Sequence, residues 1–203
     1  MGLSIHYDFN AGIRSTVEIL NILKSLRSHA QRLAFYEVDS QITHLRQEDL
    51  SSENPSAFLF LVDSRIDPST FERRTPEQII GFTALPRAGS ESISIFLAQY
   101  TESNDWTASG HCKTMFAGRS KYGGSANFVL AHRMVVELLS QAQKLGIVES
   151  VFDESSYWEE RDLLCLVDKD ELLTLSDAVL NQTGNMPPDF VASLLGQIKL
   201  AIK

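Results

Sequence analysis

The sequence predicts an α+β fold: a mixed, mostly antiparallel sheet with helices packed on one face. Three observations predict it. Strand patterns follow one another through the middle of the chain, amphipathic helical patterns lie toward both ends, and a turn with glycine joins two strands as a hairpin. The 203 residues are enough for one large domain. A content of 43% hydrophobic and 22% charged residues is ordinary for a globular chain with a full core. A single domain over 1–203 is expected, with 183–203 as a terminal helix that packs across the sheet or onto a second subunit.

The elements follow in order. Leu3, Ile5, Tyr7 and Phe9 alternate with Ser4, His6 and Asp8, the period of a half-buried strand. Ser15 and Glu18 have the spacing of a capping box. Ile19, Leu20, Ile22, Leu23, Leu26 and Ala30 then form a helical stripe over 16–32. A short strand is expected at 35–38, and the first β-α-β is open to a right-handed crossover. The polar, acidic stretch 40–55 reads as a loop. The apolar run 57–64 reads as a central strand, and 65–78 as a surface loop. Strands at 79–85 and 92–100 flank the turn at 86–90, and a further strand is expected at 111–116. A helix over 126–144 ends at Gly146, a residue suited to a left-handed stop. A strand at 147–152, an acidic aromatic loop at 153–162 and a helix near 160–180 follow. After the break at Gly184 to Pro188, a last helix occupies about 189–201, with Asp189 near its start. There is no internal repeat and no low-complexity tract.

The most informative segment is 111–132. It carries Lys113, Arg119 and Lys121, with Arg133 next, in a chain of formal charge -8. Tyr122, Gly123 and Gly124 lead into Ser125 and a strongly patterned helix. Ser125 as N-cap and two glycines free to take positive φ would gather backbone donors, with Lys113 and Arg119 converging on them. The alternative is a plain glycine turn with solvated cations. Residues 118–125 lack the Gly-Lys-Ser/Thr ending of a phosphate loop, and the glycine spacing is not that of a dinucleotide site. No cofactor is expected.

A second candidate is the loop 153–162. Asp153 and Glu154 follow a strand end, Tyr157 and Trp158 either cap the core or wall a pocket, and Arg161 is placed to pair with Glu154 or Asp153. Five scattered histidines show no HxH, HxxxH or HExxH spacing, so no metal site is expected. His132 lies at the margin of an apolar stripe and reads as a half-buried residue with a hydrogen-bond partner. A site from His111, Cys112 and His132, and a Cys112 nucleophile with His111 or His132 as base, are the alternatives.

Composition excludes further classes. A pI near 5.1 argues against non-specific nucleic-acid binding. No apolar run reaches the roughly 20 residues of a membrane span. The N-terminus resembles neither a secretory signal nor a myristoylation site, because His6 stands where the latter needs Ser or Thr. Cys112 and Cys165 read as reduced thiols of a cytoplasmic protein.

The pieces Cys112-Lys113-Thr114, Tyr122-Gly123-Gly124, Phe128, His132, Asp153-Glu154 and Tyr157-Trp158 resemble a group of uncharacterised bacterial proteins. The resemblance implies a bacterial, cytosolic, single-domain protein and carries no activity, cofactor or site residue. Three functions are open. The first is a non-catalytic binding or interaction module that self-associates through its helices or a sheet edge. The second is an enzyme or sensor for a small anionic ligand at 123–128. There Lys113 and Arg119 hold the anion, Tyr157 and Trp158 form the wall, and Asp153 or Glu154 acts as base. The third is a regulatory partner of a basic protein.

Overall fold

A computed structural model describes residues 3–50, 76–101 and 104–202. Seven strands form one antiparallel sheet: β1 (Ser4–Gly12), β2 (Glu37–Val38), β3 (Thr43–Arg46), β4 (Gln78–Leu85), β5 (Ile93–Gln99), β6 (Trp106–Lys113) and β7 (Val148–Asp153). The order is β2-β4-β5-β6-β1-β7. β2 and β3 lie in tandem along the same edge of β4. The helices are α1 (Thr16–Arg32), α2 (Gly124–Lys144), α3 (Tyr157–Glu160), α4 (Lys169–Gln182) and α5 (Pro188–Ile202).

β1 follows the expected alternation: Ile5, Tyr7 and Phe9 are buried beneath the helices, and His6 lies exposed on the other side. Its place in the sheet differs from the crossover expectation. β1 sits between β6 and β7, antiparallel to both, so it has no parallel partner among the described residues. α1 begins as its sequence dictates. Ser15 Oγ accepts from the Glu18 amide at 3.3 Å, and Glu18 accepts from the Ser15 amide at 2.9 Å. α2 ends as expected, with Gly146 at φ +71°.

Three boundaries differ from those the sequence predicts. The stretch 40–50 is not all loop, since β3 pairs there with β4. The strand expected at 111–116 runs instead over Trp106–Lys113. Its first half, Thr107 to Gly110, is made of small residues with too little hydrophobic contrast to show a period. The helix expected near 160–180 begins at Lys169, capped by the Asp168 carboxylate, after α3 and a 3-10 turn at Leu163–Cys165. α5 packs on its own chain: Phe190, Leu194 and Ile198 are buried, and α4 is its neighbour. The expected strand at 57–64 and most of the loop at 65–78 lie outside the described residues.

α2 is the centre of the molecule. Fourteen of its residues are buried, from Ala126 to Ala142. It meets α1, α4 and β7. A helix enclosed on every side has no polar face to spare, so a polar residue on it requires a partner.

Gly81 shows how tightly β4 and β5 are joined. A Cβ there would lie 2.4 Å from Phe96 Cβ and 2.7 Å from the Ile95 carbonyl oxygen. The expected cost of Gly81→Ala is about 1–3 kcal/mol, the range for overpacking. It is measured as a lower urea midpoint; an unchanged midpoint would contradict this close approach.

Candidate functional site

The helix start at 123–125 is already occupied by the protein itself. Gly123, at φ +114°, is the N-cap, and Ser125 lies inside the first turn. Ser125 Oγ donates to Glu171 of α4 at 2.6 Å, so the anion at this helix start is the chain's own carboxylate. The Gly123 amide bonds Ser120 O at 3.1 Å and the Gly124 amide bonds Arg119 O at 3.3 Å. Gln182 donates to the Gly123 carbonyl. The cations do not converge there. Lys113 Nζ lies 3.7 Å from Glu91, Arg119 stacks on Phe116 at 4.8 Å, and Tyr122 carries Lys121 over its ring while packing on Gly89. Arg87, which the sequence reading passed over, bonds Asn127 at 2.7 Å and Gln182 at 3.2 Å.

The residues of the second loop gather around His132, eight positions into α2 and so roughly 12 Å along its axis from Gly124. Asp153 Oδ2 lies 2.9 Å from His132 Nε2 and accepts from the Trp158 amide at 3.0 Å. Asp153 Oδ1 accepts from the Ser155 amide at 2.9 Å and hydroxyl at 2.7 Å. Thr114 Oγ1 lies 2.9 Å from His132 Nδ1. Tyr157 meets the imidazole edge-on at 5.8 Å and donates to Gln197 of α5 at 3.0 Å. Burial pushes the Asp153 carboxyl up, but hydrogen bonds from His132 and Ser155 outweigh it and hold the group below its ordinary range. Glu154 takes no part: it accepts from the Ser4 amide at 2.9 Å and faces His6. Arg161 pairs with neither carboxylate. It lies over the Trp158 ring at 4.5 Å and donates to Ser140.

This cluster has the residue types of a nucleophile–base–carboxylate relay without its access. In the Thr114–His132–Asp153 line the threonine and the histidine have no exposed surface. Ser155 is half-buried, but it approaches the same ring nitrogen as Asp153, at 3.3 Å, and gives its proton to that carboxylate. A relay needs the nucleophile and the carboxylate on opposite nitrogens. The cluster is therefore a polar knot joining the ends of β6 and β7 to α2.

Cys112 is equally enclosed. Burial first, then Glu91, raises its thiol well above the ordinary range, the reverse of an activated thiolate. No group of three metal-ligating side chains occurs among the described residues, and none of their helices is long and apolar enough to cross a membrane.

A different site carries unused chemistry. A cleft of about 410 Å³ opens where α1, α2 and α5 meet. α1 contributes His29 and Arg32 from its last turn. α2 contributes Arg133 and Glu137, one turn apart on one face, and α5 contributes Asp189, Phe190 and Ser193. Arg133 is 6% exposed. Its guanidinium covers the Phe190 ring at 4.9 Å, and Nη2 donates to Ser193 Oγ at 3.3 Å. Its Nη1 is buried with no hydrogen-bond partner within 3.5 Å, the Tyr157 hydroxyl standing near the guanidinium beyond that distance, and His29 Nε2 is likewise buried without a partner.

The His29 tautomer follows from its neighbour. Arg32 Nη2 lies 3.1 Å from His29 Nδ1. Arginine only donates, so Nδ1 accepts and the ring hydrogen sits on Nε2. Burial first, then Arg32, lowers the His29 pKa, which keeps the ring neutral near pH 7. Two buried N–H donors, one on a permanent cation, line the same cleft without an acceptor. A buried donor left unpaired costs about 1–3 kcal/mol, so such donors are rare without a reason.

Comparison with protein-family models, curated proteins and solved structures finds no match for this chain.

Proposed function

We propose that this chain is a non-catalytic binding protein for a small anionic molecule. The ligand sits in the cleft between α1, α2 and α5 rather than at residues 123–128. The observation that carries this reading is the pair of orphaned donors, Arg133 Nη1 and His29 Nε2. A carboxylate or phosphate oxygen is the acceptor that both lack, and a guanidinium is suited to holding either group through two parallel bonds. The volume of about 410 Å³ lies in the range of small-molecule pockets, and the Phe190 ring supplies an apolar wall.

The test is a thermal-shift and calorimetric screen of the whole protein. The panel holds mono- and dicarboxylates, amino acids, phosphate esters and inorganic phosphate. A ligand at one hundred times its Kd contributes about 2.7 kcal/mol, which in a chain of this size raises Tm by about 5–10 °C. A panel in which no member raises Tm or gives binding heat would overturn the reading.

A further inference from the structure

The cleft holds more than an anion's partners. Glu137 and Asp189 line it together with Arg32 and Arg133. These are two carboxylates and two guanidiniums in one space. Yet among the described residues none of the four forms an ion pair within 4.0 Å. Arg133 and Glu137 are four residues apart on α2, a spacing at which opposite charges ordinarily meet. Here Arg133 turns to Ser193 and Phe190 instead, and among the described residues Glu137 acts on Arg133 and His29 through its charge without an ion-pair contact within 4.0 Å.

A simple anion in this cleft would gain Arg133 and His29 but would also meet the carboxylates of Glu137 and Asp189, and like charges brought into a poorly solvated space repel. A molecule with an ammonium as well as a carboxylate has a favourable place for each end. Leu33, Pro187 and Phe190 offer apolar surface to the carbon skeleton between them.

We infer that the ligand is a small zwitterion of the amino-acid class, its carboxylate on Arg133 and His29 Nε2 and its ammonium on the Glu137 and Asp189 side. This rests on the reading of the cleft as an anion site and narrows it. It also assigns Glu137 a role in specificity: the carboxylate selects the amine-bearing ligand over its deaminated analogue.

The test compares matched pairs by calorimetry on the full chain: single amino acids, each against the same acid without the amine, such as leucine against 4-methylpentanoate. At least one amino acid is expected to bind ten or more times more tightly than its partner. Glu137→Gln is expected to bring that ratio close to one, weakening the amino acid and strengthening the deaminated acid, which no longer meets that carboxylate's charge. An unliganded melting curve verifies that the variant is folded. If carboxylates bind but every ratio stays below tenfold, or if Glu137→Gln leaves the ratio intact, the zwitterion assignment fails and the anion site survives. If neither member of any pair binds and phosphate is also silent, both fail together.

Discussion

Asp153→Ala is expected to lower stability by about 3–5 kcal/mol, because several buried donors are left without an acceptor at about 1–3 kcal/mol each. Four donors lose their acceptor at once: His132 Nε2, the Ser155 amide and hydroxyl, and the Trp158 amide. The strand end, α3 and α2 share this carboxylate, so the loss is not local. In a chain of this length it corresponds to a fall in Tm of roughly 10 °C. Asp153→Asn keeps the shape and part of the hydrogen bonding, so it is expected to cost less. The pH dependence has a definite sign. The native carboxyl titrates below its ordinary range, so its contribution is complete above the unfolded value of about 3.9 and fades as pH falls through the lower native value. The gap in urea midpoint between wild type and Asp153→Asn is therefore widest near neutrality and closes below about pH 4. An Asp153→Ala protein as stable as wild type at pH 7 would show that the knot contributes nothing.

Arg133→Met is expected to behave in the opposite way. Removing a guanidinium that binds an anion costs about 1.5–3 kcal/mol per charge-assisted hydrogen bond, so binding is expected to fall about 100-fold or more. The unliganded protein is expected to keep its stability within about 1 kcal/mol, or to gain some. Methionine fills much of the same volume, packs on Phe190, and removes a buried donor that had no acceptor. A purely structural arginine would give the reverse: lost stability and unchanged binding. Titration calorimetry and urea unfolding of the same preparation separate the two.

Much of the framework can be read from local pattern. The capping box at Ser15 and Glu18, the stop at Gly146, the hairpin around residue 88 and the helix after Pro187 each express a preference set by a few neighbouring side chains. What pattern does not carry is pairing between distant segments. Nothing local in β1 says that it lies between β6 and β7, and nothing in Thr107 to Gly110 announces a strand whose glycine lies under the Tyr7 ring.

The candidate site was legible only in part. Asp153, Tyr157 and Trp158 do cluster, but around His132, in a knot closed to solvent. The glycine turn and its cations point to a helix start that Glu171 and Gln182 already fill. One signal did point to the other site. His132 and Arg133 interrupt a run of apolar residues on α2, and two adjacent polar side chains on an enclosed helix must face two different environments. One faces the sheet. The other faces α1 and α5, and no short motif links residue 133 to residues 29 and 189.

The cleft is assembled from residue 29 to residue 193, so an occupant holding Arg133 together with the rims of α1 and α5 acts as a reversible crosslink over most of the sequence. Such a link restricts the partly opened chain more than the native one, by the entropy of closing a long loop. The effect of such an occupant would be global: it would slow the parting of the first and last helices instead of stiffening a single surface.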